Sequence, residues 1–378
     1  MLLMPDDDQQ LFQETTAKLL AELVPVEELR RLREHPVGFE DQYWQRGAEL
    51  GWTSLLVSEE HGGGSISDQG LVDLSLIAYE FGRHAAPGPL CVANVVAATL
   101  SEVGGGRFDE AIGQVLSGQT IATWCFGEQP ADRFDRVGLE IRADGSEVVL
   151  NGVKRPVESG ATAGHLLVTG QTDSGLTQAL VPTGTPGVSI APMQSVDMTR
   201  RFSVVTFDNV RLPSTAVVGE IGEAAEQVQR QIERAIALTC AEAVGTMQTA
   251  FDMTVAWAFD RYSFGRPLAS YQALKHRFAD MKTWLEASHA ISDSAVAAVA
   301  GDSPKAASLV SAANAFIGEF GSELMQDCIQ IHGGIGLTFD HDIHLFLRRH
   351  TIDRALYGAP AEHRRRLADL SEHQEVAA

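Results

Sequence analysis

Two stretches of the chain concentrate groups able to hold an anionic ligand. Arg261-Tyr-Ser-Phe-Gly-Arg-Pro-Leu-Ala-Ser-Tyr-Gln272 offers guanidiniums, hydroxyls and an amide, and Gln330-Ile-His-Gly-Gly-Ile-Gly336 offers an amide and three glycines. Guanidinium and amide groups donate hydrogen bonds to phosphate or carboxylate oxygens. Glycine lets backbone N–H groups come close to a phosphate because no Cβ intervenes. Taken singly, each has a plain structural explanation, Arg261 as a solvated helix residue and Gly-Gly-x-Gly as a helix-end turn. The carboxylates Glu233 and Glu242 fall in a helical run, where pairing with neighbouring side chains is the ordinary role. His341 and His344 have the spacing of a metal-binding pair, but no third ligand follows at a suitable distance. Arg364, Arg365 and Arg366 read as a solvated helix end or a phosphate patch.

The elements that must position these groups change character along the chain. From Gln9 to about Leu116 apolar residues recur at helical spacing: Leu11, Leu19, Leu20 and Leu23, then Leu71, Leu74, Ile77 and Phe81. His61-Gly-Gly-Gly-Ser65 breaks this run as a flexible turn, since no Lys-Ser/Thr follows it. Between about Thr120 and Val218 the texture becomes short β-rich runs: Glu147–Leu150, His165–Thr169, Gln178–Val181, Val188–Ile190 and Phe202–Phe207. Turn signals between them imply a small antiparallel barrel or sandwich, with Asn151-Gly152 the strongest hairpin signal. From about Glu220 the helical period returns, with one stripe at Val244, Met247, Phe251 and Val255 and another beginning at Leu274, Phe278 and Met281. Alanine-rich stretches at 295–300 and 306–315 suit tightly packed antiparallel helices of a four-helix bundle.

Bulk properties set bounds. A chain of 378 residues that is 44% hydrophobic can bury a large core over two or three domains. Its formal charge of −21 argues against nucleic acid or an anionic membrane surface as the main partner. Cys91, Cys125, Cys240 and Cys328 lie far apart with no C-x-x-C spacing and read as reduced core thiols. The N-terminus turns acidic at once, and no long apolar run follows it or occurs elsewhere, so a soluble cytoplasmic protein is expected.

The order helices, β domain, helices resembles the acyl-CoA dehydrogenase family, from roughly residue 9 to 370. Besides the two opening stretches, the resemblance rests on Glu49-Leu-Gly-Trp52 leading to Ser58-Glu-Glu-His-Gly-Gly63, on Phe207-Asp-Asn-Val-Arg-Leu-Pro213, and on His341-Asp-Ile-His-Leu-Phe-Leu-Arg-Arg349. It implies an α+β protein: an N-terminal α-helical domain over 1–118, a middle antiparallel β-barrel or sandwich over 119–218, and a C-terminal four-helix bundle over 219–378. It further implies FAD as cofactor and an acyl-CoA as substrate. Arg261, Ser263, Phe264, Gln272, Gln330, Gly333 and Gly334 would hold the adenosine diphosphate end of a neighbouring subunit's FAD.

The flavin-ring side departs from the family pattern. Where the family carries a Thr-Glu-x-x-x-Gly-Ser-Asp-like loop, this chain has Cys125-Phe-Gly-Glu-Gln-Pro-Ala-Asp132, and where it carries a Trp-Ile-Thr/Ser-like trio, this chain has Pro156-Val157-Glu158. Family chemistry removes an α-proton with a desolvated carboxylate while hydride leaves to the flavin. One family position for that base follows a late Tyr, but Tyr357 is followed here by Gly358. The other matches Ala235, flanked by Glu233 and by Glu242 two helical turns along the same face. In this the chain is similar to the shorter subunits of actinobacterial heterotetrameric steroid side-chain dehydrogenases, which often lack a recognisable catalytic Glu, and the similarity implies an α2β2 complex with a homologous subunit. Two alternatives stand beside it: a self-sufficient homo-oligomer using Glu242 or Glu233 as base, and a non-catalytic protein that retains the fold for assembly or acyl-CoA binding. Electron-transfer flavoprotein is the acceptor the family implies.

Overall fold

A computed structural model describes residues 4–128 and 136–377. The first third contains α1 (Asp7–Leu23), α2 (Val26–Leu32), α3 (Asp41–Leu50), α4 (Gly70–His84), α5 (Leu90–Val103) and α6 (Asp109–Leu116). A capping box starts α1: Asp6 accepts from the Gln9 backbone N–H at 2.8 Å while the Gln9 side chain accepts from the Asp6 N–H at 3.0 Å. Leu20 is fully buried as its spacing requires, whereas Leu11 lies on the outer face of α1 and is exposed. In α4 the stripe Leu71, Leu74, Ile77 and Phe81 is buried.

The middle layer contains β1 (Ile121–Cys125), β2 (Glu140–Asp144), β3 (Glu147–Glu158), β4 (Ala163–Thr172), β5 (Gly175–Pro182), β6 (Val188–Met193), β7 (Phe202–Pro213) and β8 (Val217–Val218). The strands run in the order β6-β7-β3-β2-β4-β5-β8, with β1 on β4, so the sheet is sandwich-like and is not closed into a barrel. Two features correct the sequence reading. The sheet is mixed, because β1 pairs with β4 in parallel. Asn151-Gly152 is no hairpin: it lies inside β3, where the register against β7 shifts between Leu150 and Gly152. The Asn151 side chain accepts from the Asn209 N–H, and Gly152 takes φ +145° with Leu139 only 3.0 Å from where a Cβ would stand. The same tolerance of unusual backbone that favours Asn-Gly in turns is used here for a bulge.

The last part contains α7 (Ala225–Asp260), the short hairpin β9 (Tyr262–Ser263) and β10 (Arg266–Pro267), α8 (Gln272–Ala300), α9 (Ala306–His332), α10 (Ile343–Asp353) and α11 (Pro360–Ala377). The first-third helices and the last-part helices meet where α4 crosses α7. A Cβ on Gly82 would lie 1.9 Å from the Glu242 carbonyl oxygen, and one on Gly245 would lie 2.0 Å from the Tyr79 carbonyl oxygen. Each obstacle is backbone, which cannot swing aside. Gly245→Ala is therefore expected to force the helices apart and to cost about 3 kcal/mol, the upper end for overpacking; urea unfolding of the variant measures it, and an unchanged midpoint would mean that the crossing is not tight.

Burial lowers the pKa of His350 to about 4 from its ordinary 6.5, and the Arg354 charge adds to this. A folded pKa below the unfolded one means neutral imidazole in the native state, so its stability contribution is present above pH 6.5 and is lost as pH falls toward 4. The expected loss is on the order of 3 kcal/mol. Thermal unfolding followed from pH 7 to 4 should show a steeper decline in the native protein than in His350→Gln.

Candidate functional site

The two donor-rich stretches of the sequence come together at one end of the molecule. Arg261 leaves α7, its N–H bonding back to the Trp257 carbonyl at 2.8 Å, and Gly333 ends α9 at φ +68°. The join is Trp257, whose indole stacks on His332 with centroids 5.3 Å apart, while His332 in turn contacts His341 at 4.4 Å. Phe264 and Gly265 form the tip of the β9–β10 hairpin, both at positive φ, and Phe264 is 99% exposed. The hairpin base is held by the Tyr271 hydroxyl donating to the Ser263 carbonyl at 2.6 Å and by the Arg266 guanidinium 3.9 Å from the Tyr271 ring centre. Arg261, Gln272, Gln330, Gly333 and Gly334 are all exposed, and Ser263 is half-buried. A Cβ at Gly333 or Gly334 would meet nothing within 4 Å, so no packing within the chain demands glycine at 334. Around this face lie further exposed apolar groups, Phe259, Tyr262 and Leu337 among them.

A second locus lies between the sheet and the last helices. It is a cavity of about 190 Å³, and three segments separated in sequence line it: Trp124 to Glu128, Arg155 to Glu158, and Ala355 to Gly358. Trp124 stacks on Phe126 at 4.5 Å and lies near-parallel to Tyr357 at 6.1 Å. Buried Lys154 donates to the Phe126 carbonyl at 3.0 Å and to Glu128 at 2.6 Å. Burial lowers the Lys154 pKa, and the Glu128 charge opposes that shift. The remainder of the 125–132 loop, Gln129 to Asp132, lies outside the described residues.

Behind the cavity sits a buried ion lattice that sequence reasoning missed. Arg200 holds both oxygens of Glu158 at 2.6 Å and bonds Asp353 at 2.8 Å. Arg349 bonds Asp197 at 2.6 Å, Glu242, the Thr199 hydroxyl, and the Ala86 carbonyl at 2.8 Å. Four carboxylates thus face two guanidiniums. Burial, and then the Glu242 charge, push the Asp353 pKa well up. Asp197 shifts down: burial raises it, but Arg349 and the Thr199 N–H more than offset that. The only sequence signal was a pair of adjacent arginines in each of two segments, at 200–201 and 348–349.

Glu242 therefore lies in the lattice, 6% exposed, paired with Arg349 and 3.8 Å from Arg200, and it does not line the cavity. Glu233 lies elsewhere on α7, where Gln229 one turn earlier donates to it. Ala235 is fully buried. Arg364 pairs with Glu319 on α9.

Comparison with known proteins fits this arrangement. Residues 6–106 match the family profile "Acyl-CoA dehydrogenase, N-terminal domain" and residues 225–370 match "Acyl-CoA dehydrogenase, C-terminal domain", together well over half of the chain. The chain belongs to the acyl-CoA dehydrogenase family. It is 28% identical to acyl-CoA dehydrogenase IpdE2 of Mycolicibacterium smegmatis over 363 residues, covering 96% of this chain and 98% of that one. A solved Tcur3481–Tcur3483 steroid dehydrogenase variant superposes with TM-score 0.90 at 24% identity, covering 98% and 99% of the two chains. The ChsE4–ChsE5 complex of Mycobacterium tuberculosis does so at 0.88 and 21%, covering 97% of each chain. Both structures show the shared acyl-CoA dehydrogenase fold. None of the helices among the described residues is long and apolar enough to cross a membrane.

Against the family's FAD the two loci behave differently. The exposed donors and open glycines at Arg261 and Gly333 fit a diphosphate. The cavity wall, with Glu128, Glu158 and Glu362, does not fit a ring that gains electron density when reduced.

The lattice makes a direct prediction. Glu242→Gln leaves Arg349 buried with one charge partner fewer and is expected to cost about 3–5 kcal/mol. In a double-mutant cycle with Arg349→Met the second change should cost far less than it does alone. Additive costs would show that the two groups are not coupled.

Proposed function

We propose that this chain is a subunit of an FAD-dependent acyl-CoA dehydrogenase that supplies the adenosine-side contacts to the flavin of a complementary subunit. One observation carries the reading. The face bearing Arg261, Phe264, Gln330 and Gly333 is exposed, and among the described residues the Arg261 and Gln330 side chains make no hydrogen bond or ion pair, whereas the cavity near Tyr357 has a glycine where the family places a base and is walled by glutamates. In an assembled enzyme Arg261 pairs with the diphosphate, the Ser263 hydroxyl and the Gln272 and Gln330 amides donate to it, and the Gly333 and Gly334 backbone lies against it. Phe264 packs on the adenine or flavin surface. FAD bound in this way supplies the hydride acceptor for α,β-desaturation of an acyl-CoA thioester, and the carboxylate that takes the α-proton comes from the partner.

The Tcur3481–Tcur3483 and ChsE4–ChsE5 structures, each named for two components, support a heteromeric arrangement, which we take as α2β2, and the steroid dehydrogenase among them supports a steroid-derived acyl-CoA as substrate. Electron-transfer flavoprotein is the acceptor this reading takes from the family, and the cytoplasm is its setting.

The test is FAD content. The chain purified alone is expected to be colourless, and co-expression with a complementary subunit should restore flavin and dehydrogenation. Arg261→Gln in that complex should weaken FAD retention at least tenfold, about 1.4 kcal/mol or more, as the loss of a charge-assisted bond requires. One FAD per chain in the protein alone would overturn the half-site reading in favour of a homo-oligomer. If Glu242→Gln then abolished turnover while flavin stayed bound, Glu242 would be its base. Failure to gain flavin with any homologous subunit would favour a non-catalytic role.

A further inference from the structure

α10 buries two polar side chains one turn apart. His350 and Asp353 are each 1% exposed, and α10 packs against both α7 and α9. A Cβ on Gly321 of α9 would strike the His350 ring and the Met247 sulfur of α7, so the ring fills the seam between the three helices at that level. One turn along, Asp353 accepts from Arg200 through Oδ1, and its charge is felt at the buried Cys240 thiol of α7. Between these two levels Asn314 and Gly318 of α9, Cys240 and Ala243 of α7, and His350 and Asp353 surround a space in which about 10 Å³ is open to the centre of a water molecule. That is room for one water. A second, at the usual spacing of about 2.8 Å, would not fit.

The polar atoms around this space are incompletely bonded. Among the described residues Asn314 Oδ1, Asp353 Oδ2 and both ring nitrogens of His350 make no hydrogen bond. Mid-helix backbone on α7 and α9 is bonded along its own axis and has no N–H to offer them. Asn314 Oδ1 can only accept, whereas an imidazole kept neutral by burial donates from one nitrogen and accepts at the other. Asp353 Oδ2 accepts when ionised and donates when protonated. A water, with two hydrogens and two lone pairs, matches all three residues in either case, and three is the usual number of partners for a buried water.

We propose that this space binds one water molecule as a fixed part of the protein, donating to Asn314 Oδ1 and hydrogen-bonded to Asp353 Oδ2 and to a ring nitrogen of His350. The water extends the Arg200–Asp353 pair to α9 and gives His350 a polar partner in the core. This assignment is independent of the half-site reading.

A high-resolution crystal structure of the full chain tests it directly. One solvent peak is expected at about 2.7–3.2 Å from all three groups. No peak, a direct bond between His350 and Asp353, or a peak at about 2.0–2.6 Å, the distance of a bound metal ion, would each overturn it. Two isosteric variants test whether the polar atoms face the space. Ala243→Val and Ala243→Thr put the same shape into it and both evict the water, but only the threonine hydroxyl can bond in its place. Ala243→Thr should therefore unfold at the higher temperature of the two, the reverse of their order in a dry apolar core. An equal or higher midpoint for Ala243→Val would sink the assignment.

Discussion

The structure depends most on one side chain, Arg349. It is 1% exposed, and its guanidinium reaches all three parts of the chain: the Ala85 and Ala86 carbonyls after α4, Asp197 and Thr199 in the segment between β6 and β7, and Glu242 on α7. A buried guanidinium is costly to desolvate, and only a nearly complete set of acceptors offsets that cost. The acceptors come from elements that have no other reason to converge, so the position of each part is conditioned on the others. The close backbone approach at Gly82 and Gly245 works in the same direction, since it seats α4 on α7 within one turn of Glu242.

Helices and strands were legible where burial is one-sided. Apolar residues recur in α1 and alternate in β7 because one face meets the core and the other does not, while β4 and β5, buried over most of their length, were legible only as continuous apolar runs between turn signals. β1 gave no such pattern: all five of its residues are buried, and a strand covered on both faces carries no mark of its neighbour or its direction. Asn151-Gly152 misled for a different reason. Local preference registers tolerance of positive φ, and a bulge inside β3 uses that tolerance as readily as a turn does.

The donor-rich face was legible as residues but not as a place. Arg261 and Gln330 are sixty-nine positions apart, and what joins them is the stack of Trp257 on His332, an aromatic contact with no local pattern. The lattice was less legible still. Arg200 and Asp353 are separated by 153 positions, as the bond between them records, and a pair of adjacent arginines carries no indication of its partners. Glu242 shows the consequence. On the helix alone it is a carboxylate near a candidate base position, and only the arrival of Arg349 from α10 gives it a partner.

The departures around the cavity form one solution and not a series of independent losses. A glutamate at 158 could not be buried by itself, because an unpaired carboxylate at 5% exposure would cost several kcal/mol. Its burial requires Arg200, and Arg200 requires a further acceptor for its remaining nitrogen, which Asp353 supplies. Asp353 ends α10 five residues before Gly358, so the segment that anchors Arg200 at one end walls the cavity at the other. Asp353 is the fourth carboxylate around Arg200 and Arg349, and burial, then the Glu242 charge, push its pKa well up. Another carboxylate at 358 would crowd a cavity wall that already carries Glu128, Glu158 and Glu362. The glycine after Tyr357 is thus the residue expected of a wall whose ionic balance has been settled by Glu158 and Arg200.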